Sequence, residues 1–199
     1  MCRNNKVKTY TASYLPAVSW WHSWILDAMP PLTADLPFTK QMRLNRCNID
    51  SPNGPLQLSI PLQKAEGKPM SVGQIQMSEH GDWRHKHWHA LQSTYYNSPY
   101  FEYYQDDFKC IYDAPVTGLF DFNSQLINLI VSLLGLDDPH VQAILRRRCT
   151  QVSSVSLQQD HALSPQYHQV FAHKHGFLPN LSIVDLLFNM GPESLLQYA

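Results

Sequence analysis

The sequence has few cysteines, and their arrangement excludes the most easily recognised cysteine-based functions. The four cysteines are scattered and none stands in a CxxC pair: Cys2, Cys47, Cys110 and Cys149. This spacing matches neither a zinc finger nor a disulfide framework, so we expect reduced thiols in a cytoplasmic protein. Long hydrophobic runs are also lacking, because Asn128 and Ser132 interrupt the most apolar stretch, 126–136. That stretch is too short to span a bilayer, so we expect no integral membrane segment.

Charged residues are scarce as well. They make up 16% of the 199 residues, with a formal net charge of −1 and a pI of about 6.8. A general nucleic-acid binder needs a basic surface that displaces counterions from phosphates, so we expect no nucleic-acid partner. The low charge content instead predicts a surface partly covered by a partner or by a second copy, and a homodimer is the default assembly.

Hydrophobic and aromatic residues, at 44% and 12%, are plentiful enough to build a core without disulfides or metals. The chain has the length of one generous domain. In residues 1–80, apolar and polar residues alternate as they do in β-strands. In residues 81–199, apolar residues recur with the period of a helix. We therefore predict a mixed α/β fold packed as one domain, in which a strand-rich portion (a strand–helix unit and a β-hairpin) precedes a mostly helical portion.

In the N-terminal portion, Pro16 suits the first turn of a helix, and Asn53-Gly54 between two apolar runs is a strong hairpin signal. In the C-terminal portion, proline, glycine and capping residues set the predicted helix ends. The predicted N-terminal elements are strand 7–12, helix 17–29, hairpin strands 45–49 and 56–61, and strand 72–77. The predicted helices that follow run from Asp82 to about Tyr96, from Ser98-Pro99 to about Tyr112, over 123–134, from Ser164-Pro165 to near Gly176, and over 182–189.

The turn 13–16 between the first strand and the first helix is one candidate ligand site. A strand that leads into a helix leaves free N–H groups at a positive dipole end, which can bind an anion. Downstream, Lys40, Arg43 and Arg46 could supply counter-charge for a phosphate. The alternative is an ordinary connection with basic residues on a hairpin.

The segment 83–89 carries His85 and His89 one helical turn apart, with His87 on a different side. Two histidines are too few for a closed metal site, although His173 and His175 could in principle complete it. We therefore expect no metal, and a metal hydrolase would require a third ligand. The alternative is a polar helix face with half-buried indoles.

Two further features have both a structural and a functional interpretation. The tyrosines and phenylalanines between 95 and 108 have the spacing of core residues, although tyrosine faces can also stack on a sugar or a base. Cys47 follows Arg46, whose charge would favour a thiolate nucleophile, but a small strand residue that faces the core explains it equally. Asp185 lies inside an apolar helix, where we expect it to pair with a cation or to cap a loop.

Taken together in order and spacing, these motifs resemble the WbqC-like protein family over nearly the whole chain. The residues that carry the resemblance are Tyr14-Leu15-Pro16, Lys40-Gln41, Asn45-Arg46-Cys47, Asn53-Gly54, Leu58-Ser59-Ile60-Pro61, Trp83, His87, Trp88, Ser98-Pro99-Tyr100-Phe101, Tyr104, Asp106-Asp107-Phe108, the run 181–189 and Gly191-Pro192-Glu193. The family's namesake is associated with O-antigen gene clusters, so the resemblance implies a role in bacterial surface-polysaccharide biosynthesis. Members commonly place His-Gln-Pro before the Tyr-Leu-Pro element, whereas this chain has Tyr10-Thr11-Ala12-Ser13 there.

The resulting functional hypothesis is a transferase that acts on a nucleotide-activated small molecule. We predict His87 as the catalytic acid or base, because the ordinary pKa of histidine lies near neutrality. The predicted ligand-binding residues are Tyr14, Lys40, Asn45, Arg46 and Trp83. The residues specify no cofactor. The alternative is a non-catalytic binding or assembly protein of the same biosynthetic system, which the departure before Tyr14, the scarce charge and the many aromatic residues favour.

Overall fold

The structure, a computed structural model, describes residues 8–64, 70–143 and 166–198, and it confirms the mixed α/β fold. A two-stranded antiparallel sheet near the N-terminus is followed by helices. The strands are β1 (Arg46–Ile49) and β2 (Leu56–Ser59). The helices are α1 (Val18–Leu26), α2 (Trp83–Tyr95), α3 (Phe101–Asp113), α4 (Leu119–Leu133), α5 (Ala172–His175) and α6 (Ile183–Met190). Within the described ranges, no helix has the length and apolar character needed to cross a membrane.

The predicted hairpin is confirmed. Arg46 pairs with Ser59 and Ile49 pairs with Leu56 in the antiparallel register. The turn closes because the Gly54 N–H donates to the Ser51 carbonyl at 3.0 Å, and Gly54 adopts a φ of +99°. An L-residue rarely adopts that conformation, which explains glycine after asparagine in this turn.

The two other predicted strands are wrong. In the described part of 7–12, only Tyr10 makes a bridge, to Leu32. Residues 72–74 form a 3-10 turn rather than the start of a strand. The Gln74 side chain accepts from the Ser71 N–H at 3.0 Å, and the Gln74 N–H donates to the Ser71 carbonyl. The backbone groups in these local hydrogen bonds are the ones that a strand would need for hydrogen bonds to a neighbouring strand.

Five of the six predicted helices are confirmed, with shifted ends. The first helix stops at Leu26, short of the two prolines, and Ala28 and Met29 have positive φ. The helix predicted over 182–189 begins after Ser182, whose hydroxyl accepts from the Val184 N–H. The helix predicted from Ser164-Pro165 to near Gly176 is mostly wrong. Its start at 164–165 lies outside the described residues, residues 166–171 are not helical, and only α5 is helical before Gly176 ends it.

Helix α6 is the centre of the core, since every residue from Ile183 to Asn189 is buried. Phe188 contacts the rings of Tyr95, Phe101 and Phe108 at centroid distances of 5.1–5.2 Å. The segment before the helix also contacts the hairpin, because the Ser182 N–H donates to the Asn48 carbonyl at 2.8 Å. Polar side chains of this helix are therefore held inside the core, against the sheet and α2.

Candidate functional site

The structure divides the six predicted site residues into two groups. Tyr14, Trp83 and His87 lie together in the core, with exposed fractions of 0%, 3% and 6%. Lys40 and Arg46 are exposed, and neither forms an ion pair with a described residue. The Asn45 amide donates to the Ile60 carbonyl at 2.7 Å, which ties down the base of the hairpin.

Tyr14, His87 and Tyr112 form a buried hydrogen-bonded set, here called the histidine–tyrosine chain. The Tyr14 hydroxyl lies 2.9 Å from His87 Nδ1 and 2.6 Å from the Tyr112 hydroxyl. Burial lowers the pKa of His87 to about 4, and a backbone hydrogen bond with Ser59 partly opposes this effect. A ring with that pKa is neutral at pH 7, so it has no extra proton to release as an acid, and its low proton affinity makes it a weak base.

Trp83 closes one side of the histidine–tyrosine chain. The indole packs edge-to-face on the His87 imidazole, with 5.2 Å between the ring centroids. The Arg84 guanidinium carbon lies 4.8 Å from the centroid of the indole. Arg84 also donates to the carbonyls of Tyr112 and Val116, which joins α2 to the end of α3. The indole N–H of Trp83 is buried and has no hydrogen-bond partner among the described residues, an arrangement that is uncommon in folded proteins.

The first N–H groups of α1, which follow the turn 13–16, are not the free donors that the anion hypothesis requires. At the start of α1, the Val18 N–H donates to the Leu181 carbonyl at 3.0 Å, and the Ser19 N–H donates to the Asn180 side chain at 3.1 Å. Asn180 and Leu181 thus accept hydrogen bonds from the start of α1 within the fold. A phosphate group would have to rely on side chains such as Lys40 and Arg46 instead.

Sequence reasoning missed a second polar cluster, which is built around two buried carboxyl groups. This carboxylate cluster consists of Asp50, Tyr95, Tyr167, Gln169, His175 and Asp185. Asp50 follows the last residue of β1 and is 1% exposed, and Asp185 lies in α6 and is 0% exposed. The backbone of Asp50 hydrogen-bonds Tyr95, which in turn bonds Asp185, so the two carboxyl groups share one network.

Among the described residues, Asp185 neither pairs with a cation nor caps a loop, contrary to the expectation from sequence. Its two oxygens accept from the hydroxyls of Tyr95 and Tyr167, at 2.9 and 2.7 Å, and from the Gln169 amide at 3.1 Å. Burial nevertheless dominates and raises the pKa of Asp185 to about 6, although these hydrogen bonds oppose the rise. A carboxyl group that titrates near neutrality in a buried cluster is a recognised feature of functional sites.

Asp50 holds the imidazole of His175 in one orientation. His175 Nε2 lies 3.2 Å from Asp50 Oδ1 and 3.2 Å from the Ser51 carbonyl oxygen. Because a carbonyl can only accept, we place the proton of the neutral ring on Nε2 and the lone pair on Nδ1. Nδ1 is buried and has no hydrogen-bond partner among the described residues. The arrangement is that of a general base whose other nitrogen is held by a buried carboxylate.

Helix α2 carries a member of both the histidine–tyrosine chain and the carboxylate cluster, and the hairpin lies beside both. His87 and Tyr95 lie eight residues apart on one face of α2, a separation of about 12 Å along the helix. Strand β1 starts at Arg46, opposite the Ser59 backbone that bonds His87, and leads to Asp50. Asp185 was visible in the sequence as a lone carboxylate in an apolar helix, but nothing in the sequence linked Asp50 to His175, which lies 125 positions later.

The remaining histidines form no closed metal site in the part of the chain that the structure describes. No group of three or more histidine, cysteine or acidic side chains converges there. His85 and His89 are exposed on α2, while His87 on the same helix is buried. Cys47 is buried in β1, and burial raises the pKa of its thiol far above the ordinary value, which removes the basis for the nucleophile hypothesis.

Comparison with known proteins places this arrangement in a family. The chain matches the WbqC-like protein family over residues 13–156 and 151–197. It is also 25% identical to the uncharacterized protein Rv1507c of Mycobacterium tuberculosis in an alignment over 195 residues that covers 80% of this chain and 83% of the relative. No solved structure is significantly similar. Because the family match spans most of the chain and includes both clusters, the protein belongs to the WbqC-like protein family.

Proposed function

We propose that the protein is a transferase that moves a group from a nucleotide-activated small molecule to an acceptor hydroxyl or amine, with His175 as the general base. The observation that supports this proposal is the Asp50–His175 pair. The buried carboxylate lies against Nε2, while Nδ1 is left without a partner. Leaving a buried polar atom unpaired costs roughly 1–3 kcal/mol, and a substrate proton at Nδ1 would remove that cost.

In the proposed step, Nδ1 of His175 takes the proton of the acceptor hydroxyl or amine. The heteroatom forms its bond to the transferred group, and the nucleotide leaves with the electron pair of the broken bond. Asp50 stabilises the imidazolium that forms, because its oxygen lies 3.2 Å from Nε2. His175 lies at the surface end of the carboxylate cluster, and its side chain is 21% exposed.

The donor site is proposed from the exposed cations. Lys40 and Arg46 have no ion pair with described residues and can contact phosphate oxygens from the hairpin side. Tyr14, Asn45 and Trp83 remain predicted ligand-binding residues. His87 remains a predicted catalytic residue, although burial leaves its ring neutral and weakly basic at pH 7. The biosynthesis of bacterial surface polysaccharide is the proposed setting, since the resemblance implies it.

The test begins with native mass spectrometry of the full chain against nucleotides, nucleotide-linked sugars and acyl carriers, followed by product analysis with any donor retained. His175→Gln should lower turnover by about 10²–10⁴-fold while donor binding persists, because a general base contributes that much. His173→Gln is the matched control, since His173 is exposed two residues away and its Nδ1 lies 3.0 Å from the Val170 carbonyl. Full turnover in His175→Gln would refute the base assignment, and full turnover in His87→Gln would refute the catalytic prediction for His87.

A second candidate function, a non-catalytic binding protein, is favoured by one surface of the structure. The tyrosine surface consists of Tyr96, Tyr100, Tyr103 and Tyr104, of which Tyr96 and Tyr103 are 71% and 76% exposed. The rings of Tyr100 and Tyr104 stack at 6.4 Å with an interplanar angle of 15°. Exposed tyrosine faces of this kind stack on sugar rings.

This candidate is tested by titrating soluble bacterial polysaccharide into the full chain and into Tyr103→Ala by calorimetry. Loss of binding in Tyr103→Ala, with binding retained in the exposed-residue control Leu56→Ala, would support a binding protein. The absence of any heat change in the unaltered chain would rule out recognition of that polysaccharide by the tyrosine surface.

A further inference from the structure

Two exposed histidines on α2 face each other outside both buried clusters. The Nε2 atoms of His85 and His89 lie 2.9 Å apart, and the ring centroids lie 4.1 Å apart. A straight N–H···N hydrogen bond between two imidazoles would hold the centroids about 5 Å apart. The shorter centroid distance means that the two nitrogens do not point directly at each other, so a third atom can approach both from one side.

The distance between the two nitrogens fits metal coordination at a right angle. With metal–nitrogen bonds of about 2.1 Å, two ligands at 90° have their nitrogens about 3.0 Å apart, whereas tetrahedral ligands are separated by about 3.4 Å. The 2.9 Å separation in this protein matches the first arrangement. Square-planar and octahedral ions such as Cu²⁺ and Ni²⁺ use right-angle positions, and tetrahedral Zn²⁺ does not.

Asp82 orients one of the two ligands. Its carboxylate oxygen lies 3.8 Å from His85 Nδ1 and attracts a proton to that nitrogen. A neutral histidine with its proton on Nδ1 presents a lone pair at Nε2, which is the state that a metal binds. The spacing of four residues on a formed helix holds both rings on one face before any ion arrives.

We infer that His85 and His89 form an open, two-histidine binding site for a divalent transition metal, with Cu²⁺ and Ni²⁺ preferred over Zn²⁺ and with water in the other coordination positions. Two histidines cannot close a structural site, which is why the sequence predicted no metal, but they suffice for an exposed chelate. Mg²⁺ and Ca²⁺ do not bind it, because they require oxygen ligands. The inference is independent of the proposed transferase activity.

The test is calorimetric titration of NiCl₂ into the full chain after removal of any affinity tag. Ni²⁺ is the probe because Cu²⁺ would oxidise the exposed thiol of Cys110. His85→Ala and His89→Ala should each weaken Ni²⁺ binding by at least about tenfold, since even the loss of an orienting group beyond the direct ligands weakens a site by that amount. His140→Ala is the matched control, because His140 is also exposed but lies on a different segment, and it should bind Ni²⁺ as the unaltered chain does.

Both variants remove exposed side chains, so their folding should be unchanged, which circular dichroism checks directly. Equal Ni²⁺ affinity in the unaltered chain and in both variants would overturn the site. Zn²⁺ binding tighter than Ni²⁺ binding would overturn the right-angle geometry. Competition by millimolar Mg²⁺ would also overturn it, because an oxygen-rich site would then be responsible.

Discussion

Two buried groups should change the stability of this protein in opposite directions across the same pH range. His87 has its pKa lowered from 6.5 to about 4 by burial, so the folded state resists a proton that the unfolded chain accepts. Its contribution to stability is present above about pH 6.5 and is lost as the pH falls toward 4. Asp185 has its pKa raised from 3.8 to about 6 by burial, so the folded state keeps a proton that the unfolded chain releases. Its contribution is present below about pH 4 and is lost as the pH rises through 6.

The two effects have nearly the same size. Each shift spans somewhat more than two pH units, which corresponds to about 3 kcal/mol of unfolding free energy for each group. In the unaltered protein they largely cancel between about pH 4 and 6.5. Removing one group should therefore reveal the other. His87→Gln should lose stability relative to the unaltered chain as the pH rises, and Asp185→Asn should gain stability relative to it.

The assay is urea unfolding followed by tryptophan fluorescence at about pH 4.5 and about pH 7. The measured quantity is the change in unfolding free energy between the two pH values for each variant, minus the same change in the unaltered chain, which removes the titration of all other groups. The double variant, in which both contributions are absent, serves as the control and should follow the unaltered chain. If all four proteins show parallel profiles within about 0.5 kcal/mol, neither group titrates as its burial requires.

Three further predictions concern the core and the thiols. Tyr14→Phe should destabilise the fold by roughly 1–3 kcal/mol in urea, because it leaves His87 Nδ1 and the Tyr112 hydroxyl without their partner. Phe188→Ala should lower the unfolding free energy by about 3–5 kcal/mol, because it opens a cavity among three aromatic rings. Iodoacetamide should leave Cys47 unmodified in the folded protein and label it after unfolding, which peptide mass spectrometry detects, because the thiol is buried and its pKa is raised.

Each of these predictions has an internal comparison. Tyr103→Phe removes a hydroxyl from an exposed ring and should change stability by less than about 0.5 kcal/mol, so an equal effect of Tyr14→Phe would contradict the role of the buried hydrogen bonds. For Phe188, a loss below about 1 kcal/mol would show that the ring is not central to the core. Cys110 is exposed and should react in the folded state, so labelling of Cys47 at the same rate would contradict its burial.

The local elements of this fold were largely readable from the sequence because local chemistry sets them. Asn53-Gly54 determines the hairpin turn through the positive φ that glycine permits. Ser182 starts α6 by accepting a backbone hydrogen bond, and Gly191 ends it with a φ of +55°. The predicted strand over 72–77 failed because alternation of apolar residues cannot reveal that a Ser71–Gln74 interaction has already used the backbone groups.

The candidate site was only partly readable, because it is made by contacts between distant positions. The sequence marked Tyr14 and His87 but could not bring them to 2.9 Å, and it could not show that burial would lower the pKa of His87. Nothing in the sequence singled out Asp50, and His175 stood out only as a residue that could complete a metal site, whereas the packing of α5 against the end of β1 places the two side chains 3.2 Å apart. The sequence by itself thus determined the local elements, namely the helices and the hairpin, and the order of motifs that marks the family. Which polar groups lost water, and which partners they then found, depended on the packing of α6 against the hairpin and α2, because desolvation is a property of the assembled core.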